Sequence, residues 1–358
     1  MRSVAIVGAT GVVGQQFVVA LQKHPWFQIV KLAASEKSAG KSYEEALRRE
    51  GGSLAWFCEE EPDPEVLKMK VENASTMKVD DCDLIFTAVE AEQALLLEPK
   101  YAKEKPVIST ASAFRYEPDV PILVPGVNTE HVELLHKQRE RRGWKGFITP
   151  IPNCTTTGLV ITLKPIYDRF GINKVIMTSM QAISGAGRSP GVPALDIIDN
   201  IIPYIPKEEE KVQTETLKIL GKLGVEGIVY APFKVSCTCT RVNVKDGHTE
   251  SVFVSAKSPV TVEGVKEAMN EAGSDLKKLN LPSAPKKMIH VLDDPFRPQP
   301  RLDRNREDGM ATTVGRIRLD DALENGVKYV LVSHNTKMGA AKGAVLVAEL
   351  LEVKGFLD

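Results

Sequence analysis

The sequence predicts an α/β protein in two parts: a Rossmann-type parallel sheet at the N-terminus, then an α+β domain. Three observations predict it. A short apolar run, Ser3-Val-Ala-Ile-Val7, feeds the glycine turn Gly8-Ala-Thr-Gly11-Val-Val-Gly14 and then a helical pattern over 15–23. Strand, glycine turn and helix in that order form the phosphate-cradling opening of a dinucleotide-binding fold. Further apolar strands alternate with helical material up to about residue 150, as a parallel sheet requires. Beyond that point the apolar segments alternate residue by residue, the pattern of strands with one buried face. A length of 358 residues lets each part bury a core of its own.

Composition removes several function classes. The chain is 43% apolar and 26% charged with a formal net charge of −1, so no global field draws it to nucleic acid or membranes. No apolar run reaches the roughly eighteen residues of a membrane helix. The first strand begins almost at Met1, so no secretory leader is expected. Five cysteines, an odd and scattered set, imply a reducing cytoplasm rather than a disulfide framework. Cys237-Thr-Cys239 has no second Cys/His pair at ligand spacing, so no metal site is expected; in a strand the two share a face.

Within the first domain, the glycine spacing is G-x-x-G-x-x-G rather than G-x-G-x-x-G, and it reads either as a phosphate-cradling turn or as a tight strand-to-helix turn with no ligand. A second strand over 29–34 ends in Ser35-Glu-Lys-Ser38-Ala-Gly-Lys41. Two hydroxyls and two ammonium groups suit the 2′-phosphate of NADP, whereas Glu36 would suit a free ribose hydroxyl. Residues 42–70 are polar and proline-interrupted and read as surface loop or small insertion. Strands follow at 84–89 and 106–110. The basic run Lys137-Gln-Arg-Glu-Arg-Arg142 reads as the solvated face of a helix; with no aromatic platform beside it, nucleic acid is not its partner.

The chemistry centres on Pro150-Ile-Pro-Asn-Cys154-Thr-Thr-Thr-Gly-Leu159, where an irregular segment turns into a helix. A thiol at a helix N-terminus sits beside unsatisfied N–H groups and the positive end of the peptide dipoles. Both favour the thiolate, and the same N–H groups suit an oxyanion formed when sulfur attacks a carbonyl. The plain alternative is a buried cysteine acting as a small hydrophobe.

A strand over 174–183 then leads into Ser184-Gly-Ala-Gly187, a turn where backbone approaches something closely. Gln181 before it reads either as an exposed strand position or as an amide orienting a ligand beside the thiol. The charged stretch Lys207-Glu-Glu-Glu-Lys211 opens a helix running to about Leu220. The segment 235–254 predicts a hairpin turning at Asp246-Gly247, with Lys245 opposite His248 and Arg241, Asn243, Lys245 and His248 on one face. Guanidinium and imidazole on one face make a carboxylate clamp beside an acid/base. Arg241 lies four residues from Lys245, roughly 13 Å along a strand, so its side chain must reach back. A last strand at 328–334, then Asn335-Thr-Lys-Met-Gly339 and an apolar helix, return the chain to the first domain. The expected division is 1–152 with 337–358, and 153–336.

Taken together, Gly8 to Gly14, Ser35 to Lys41, Asn153-Cys-Thr-Thr156, Gln181 to Gly187, Arg241 with His248 seven residues on, and Val314-Gly-Arg-Ile-Arg318 resemble the aspartate-semialdehyde dehydrogenase family, most closely its archaeal and fungal branch. The likeness runs the length of the chain, in order. It implies that Cys154 is the nucleophile, His248 the general acid/base and Gln181 an orienting amide. It implies further that Arg241 binds the substrate α-carboxylate, Arg115 and Lys211 bind phosphate, and Glu208 meets the substrate amine. Three successive glutamates leave that last register open. Gly8, Thr10, Gly11, Val12, Val13, Ser35, Ser38, Ser184, Gly185 and Asn335 would contact NADP, and the family is dimeric or tetrameric through its second domain. The implied reaction reduces 4-phospho-L-aspartate to aspartate 4-semialdehyde through a cysteine thioester, with release of phosphate, in the biosynthesis of lysine, methionine and threonine. A related acyl reductase, such as one acting on malonyl-CoA, would share the cofactor turn, the cysteine and the histidine.

Overall fold

The structure, a computed structural model, describes residues 1–187 and 191–358. It divides into two compact units. One holds residues 1–123, 132–151 and 340–358; the other holds 124–131 and 152–339.

The first unit is built on six strands: β1 (Arg2–Val7), β2 (Phe27–Ala34), β3 (Val71–Asn73), β4 (Leu84–Thr87), β5 (Val107–Ser109) and β6 (Ile148–Pro150). They lie in the order β3-β2-β1-β4-β5-β6, every neighbouring pair parallel. Near-continuous apolar strands are what a sheet covered on both faces demands, and Val4 to Val7 are fully buried. Strand order reverses between β1 and β4, the place where open α/β sheets bind ligands. Helix α1 (Val12–Leu21) follows β1, and residues 42–70 contain two short helices, α2 (Tyr43–Leu47) and α3 (Pro64–Lys68). A reciprocal Ser42/Glu45 capping box starts α2. Its buried Tyr43 donates to Ala9 O at 2.7 Å, so the insertion braces the turn after β1. Helices α4 (Ala91–Ala102) and α5 (Leu134–Arg142) complete this part. The basic run sits on α5 and is not left to solvent alone. Arg142 grips Asp119 with two hydrogen bonds, and Arg139 donates to Phe356 O at 2.8 Å.

The second unit opens with α6 (Cys154–Phe170), followed by β7 (Ile172–Gln181), α7 (Ala194–Ile197) and α8 (Glu208–Ile219). A two-stranded ribbon of β8 (Lys222–Leu223) and β9 (Ile228–Val229) precedes β10 (Lys234–Arg241) and β11 (His248–Ala256). Then come α9 (Val262–Glu271), α10 (Ser274–Lys277), β12 (Ile289–Leu292), α11 (Pro300–Asp303), β13 (Thr312–Asp320) and β14 (Gly326–Ser333). The chain ends in α12 (Ala341–Val353), which packs on α1 in the first unit.

The second sheet is mixed, ordered β10-β7-β11-β14-β13-β12. The expected 235–254 hairpin does not form. β10 and β11 lie on opposite sides of β7, parallel and antiparallel to it respectively. Ten residues of β7 offer hydrogen-bonding edges to both partners, and the strong Asp246-Gly247 signal serves a link that passes its end; Gly247 has φ +93°. This arrangement removes the reach expected of Arg241. Arg241 is in register with Gln181, and Thr249 with Met180, so the ends of β10, β7 and β11 are level.

Helix α6 lies against β11 and β14. Leu159, Val160, Leu163 and Ile166 are fully buried beneath it, each contributing roughly 1.5–3 kcal/mol. Gly158 permits the approach: a Cβ there would stand 2.9 Å from the Ser333 Cβ. Cys154, one turn earlier, is thereby held down on the end of β11.

Candidate active site

Asn153 caps α6, its Oδ1 accepting from Thr155 N at 2.9 Å and Thr156 N at 3.3 Å. Its own N–H donates to Glu215 Oε2 at 2.7 Å, and Nδ2 donates to Glu208 Oε1 at 2.8 Å. The cap therefore ties the helix start, directly before the thiol, to two buried carboxylates. Of the three consecutive glutamates, Glu208 is the buried one turned to this cap, while Glu209 accepts from Cys239 N at 3.0 Å. Lys211 Nζ lies 3.6 Å from Glu208 Oε2.

Half-buried Cys154 places Sγ 3.1 Å from His248 Nε2. His248 is 1% exposed, and its Nδ1 accepts from Ala182 N at 3.0 Å. Burial first, then the positive charge of Arg241 and the neighbouring His334, push this imidazole down to about 3, so it is neutral at physiological pH. Arg241, also buried, donates from Nη1 to Ala182 O at 2.9 Å. Desolvation lowers its pKa; the negative charges of a Cys154 thiolate and of Glu208 act the other way. Gln181 is 1% exposed rather than a surface residue, and its amide nitrogen donates to Ser179 Oγ at 3.2 Å. Gly185 completes the cluster: a Cβ there would meet Arg241 Nη1 at 2.9 Å and His248 Cε1 at 3.0 Å. Asn335 ties the rim, donating to Ser184 Oγ and accepting from Gly247 N, both at 2.8 Å.

The second unit thus brings together Cys154, Gln181, Ser184, Gly185, Glu208, Lys211, Arg241, His248 and Asn335. Such a cluster joins a nucleophilic sulfur at a helix N-terminus to a neutral imidazole and a guanidinium able to grip a carboxylate. Sequence reasoning passed over Asn153, Ala182 and Ser179 as functional groups. The first carried a signal, an N-cap residue type directly before the cysteine; the other two act through register and main chain. Beneath the cluster, Glu250 is fully buried with no hydrogen-bond partner for either oxygen among the described residues, and burial pushes its carboxyl well above the usual carboxylate range.

The remaining predicted residues lie in the first unit. Gly8 has φ +84°, and a Cβ on it would meet Ala88 O at 2.2 Å; one on Gly14 would meet Gly8 O at 2.1 Å. Helix α1 begins at Gly11 with no side-chain cap, and its first residues, Val12 and Val13, follow Thr10 and Gly11 into a start whose N–H groups suit a pyrophosphate. Exposed Ser35 and half-buried Ser38 share a turn after β2, with Ser38 N donating to Ser35 O at 2.9 Å. The tight turn, uncapped helix and hydroxyls fit a dinucleotide phosphate. Arg115 is buried, donating from Nη2 to Thr110 O at 2.9 Å. Among the described residues no group of three or more His, Cys, Asp or Glu is placed to hold a metal, and no helix is long and apolar enough to cross a membrane.

Two family profiles match: "Semialdehyde dehydrogenase, NAD binding domain" over residues 3–135 and "Semialdehyde dehydrogenase, dimerisation domain" over 163–338. The chain is 48% identical over 352 residues to the aspartate-semialdehyde dehydrogenase of Methanothermobacter thermautotrophicus, covering 98% of this chain and 99% of the relative. It is 44% identical to that of Candida albicans, over 100% of both chains. Among solved structures, the Candida albicans enzyme with NADP superposes with a TM-score of 0.88 at 41% identity, covering 99% of each chain. A Vibrio cholerae aspartate semialdehyde dehydrogenase II complexed with ASA gives 0.77 at 28% identity, covering 98% of each.

Proposed function

This chain belongs to the aspartate-semialdehyde dehydrogenase family, and we propose that it catalyses the NADP-dependent reductive dephosphorylation of 4-phospho-L-aspartate to L-aspartate 4-semialdehyde, and the reverse reaction. The observation that carries this reading is Cys154 Sγ at the start of α6, 3.1 Å from His248 Nε2, beside buried Arg241. In the reducing direction the sulfur attacks the acyl carbon, phosphate leaves, and a thioester forms. NADPH, when bound, supplies the hydride that reduces that thioester. Collapse of the tetrahedral species frees the aldehyde and returns the electron pair to Cys154.

The substrate's charges match the groups at hand. Arg241 takes the α-carboxylate, Glu208 the ammonium, and Arg115 and Lys211 the phosphate. Gln181 orients the acyl group, and positioning of this kind supplies much of the rate. Gly8, Thr10, Gly11, Val12 and Val13 cradle the cofactor's pyrophosphate. Ser35 and Ser38 take the 2′-phosphate, and Ser184, Gly185 and Asn335 meet the nicotinamide half.

The NADP-bound relative supports the cofactor assignment, and the dimerisation-domain match supports a homo-oligomer. Ile176, Ile198, Ile201 and Tyr204, large apolar side chains exposed on the second unit, agree with subunit contact there. The reaction belongs to lysine, methionine and threonine biosynthesis, and among the described residues none of the five cysteines forms a disulfide, which suits the cytoplasm. A phosphate-dependent assay of aspartate semialdehyde oxidation with NADP, set beside reduction of malonyl-CoA with NADPH, tests the reading. Turnover is expected in the first only; turnover of the CoA ester alone overturns the substrate assignment.

A further inference from the structure

We propose that Glu98 is a positioning residue for the phosphate-binding arginine: it clamps the carboxyl ends of β4 and β5 and so fixes the turn that holds Arg115. This rests on the reading that Arg115 takes the substrate's phosphate, and it adds a residue that touches no substrate itself.

Helix α4 buries a stripe of Ala94, Leu97, Glu98, Tyr101 and Ala102, the spacing of a helix face turned to a core. One member of that stripe is an acid. Glu98 is fully buried, and taking a carboxyl out of water costs free energy that an apolar residue at the same place would not. Burial pushes its pKa up; the hydrogen bonds from Ser109 and Thr87, then the positive charge of Arg115, pull the other way. Packing alone therefore does not account for this side chain.

Its hydrogen bonds do. Oε1 accepts from Thr87 Oγ1 at 2.6 Å and from Ser109 Oγ at 2.5 Å. Thr87 and Ser109 are the last residues of β4 and β5, and they stand opposite each other in the parallel pair. A single oxygen thus ties two strand ends at the carboxyl edge of the sheet, where open α/β sheets take ligands.

The tie continues into the turn beyond. Ser109 Oγ accepts from Ala111 N at 3.0 Å, which leaves its own proton for Glu98. The peptide plane that carries Ala111 N also carries Thr110 O, and Thr110 O accepts from Arg115 Nη2 at 2.9 Å. Because that plane is rigid, holding its N–H aims its carbonyl and hence the guanidinium. Thr110 N adds a second brace, donating to Thr87 O at 3.0 Å. A continuous run of bonds leads from the carboxyl to the arginine. A guanidinium grips phosphate through a planar fork of N–H groups, so its orientation decides the strength of the grip. A fork held in advance also loses less freedom when the anion arrives.

The test uses the intact enzyme with aspartate semialdehyde, NADP and inorganic phosphate, each varied in turn. Thr87→Val, Glu98→Leu and Ser109→Ala made together remove the clamp and strand neither carboxyl nor hydroxyl. This triple variant should raise the KM for phosphate about tenfold or more, with kcat and the other two KM values within about threefold. Ser109→Ala alone cuts one arm and should move the phosphate KM the same way, about threefold. Glu98→Gln keeps the accepting oxygen and removes the charge, so its phosphate KM should stay near that of the parent. An unchanged phosphate KM in the triple variant, or in Ser109→Ala if the triple variant does not fold, overturns the proposal. So does a loss spread evenly over all three substrates. Glu98→Gln matching the triple variant overturns it too, since the carboxyl would then act by charge and not as a clamp. Arg115→Ala tests the underlying reading separately. An unchanged phosphate KM there removes the arginine from the phosphate, whereas a raised one beside an unaffected triple variant strikes the clamp alone.

Discussion

In the first unit the turn after β1 presents main-chain N–H groups, whereas in the second unit side chains gather at the ends of α6, β7, β10 and β11. The two kinds of site are protected differently. A backbone cradle needs empty space, which Gly8 and Gly14 supply by lacking a Cβ. A side-chain cluster needs supporting partners, which Asn153, Ala182 and Ser179 supply through hydrogen bonds. Gly185 shows the two devices meeting, a missing side chain that makes room for two functional ones.

The comparison can be broken first at its sharpest point. Cys154→Ala should abolish phosphate-dependent NADP reduction, a loss of at least about 10⁴-fold, while isothermal titration finds NADP affinity unchanged. A parallel loss of NADP binding would deny the separation of roles. Two glycine substitutions come next. Gly8→Ala combines φ +84° with a contact of 2.2 Å to Ala88 O, so it should cost several kcal/mol of stability, read by chemical denaturation. Gly185→Ala should leave stability within about 1 kcal/mol but lower kcat/KM roughly 100-fold, because the displaced groups are Arg241 and His248. Equal stability losses would erase the distinction.

Acid should then act on the second unit. Folded His248 stays neutral to about 3 and His334 to about 4, whereas in the unfolded chain a histidine takes a proton near 6.5. Between those values the unfolded state binds more protons, so stability falls as pH drops below about 6.5, at up to ~1.4 kcal/mol per pH unit for each ring. Denaturation midpoints at pH 7 and 5 measure it, and His248→Gln should flatten the slope. The smallest effect is expected from Asn153→Ala. Loss of the cap should cost about 1 kcal/mol, and kcat should fall roughly tenfold as Glu208 and the thiol lose their common anchor. An unchanged kcat would reduce Asn153 to a cap alone.

Much of this was legible in the residues alone. The β1–glycine–α1 passage announced the parallel sheet, because apolar runs and glycines act locally. The cysteine at a helix start could be read for the same reason. What failed was the 235–254 hairpin, since Asp246-Gly247 is a local signal and the insertion of β7 between β10 and β11 is not.

By itself, then, the sequence determined the parallel sheet with its glycine turn and that a thiol heads a helix. Only the tertiary structure decided which glutamate turns to the cap, that Arg241 lies level with Gln181, and which nitrogen of His248 faces the sulfur. Those outcomes depend on strand register and on main-chain groups, which every residue carries alike and no residue type reveals.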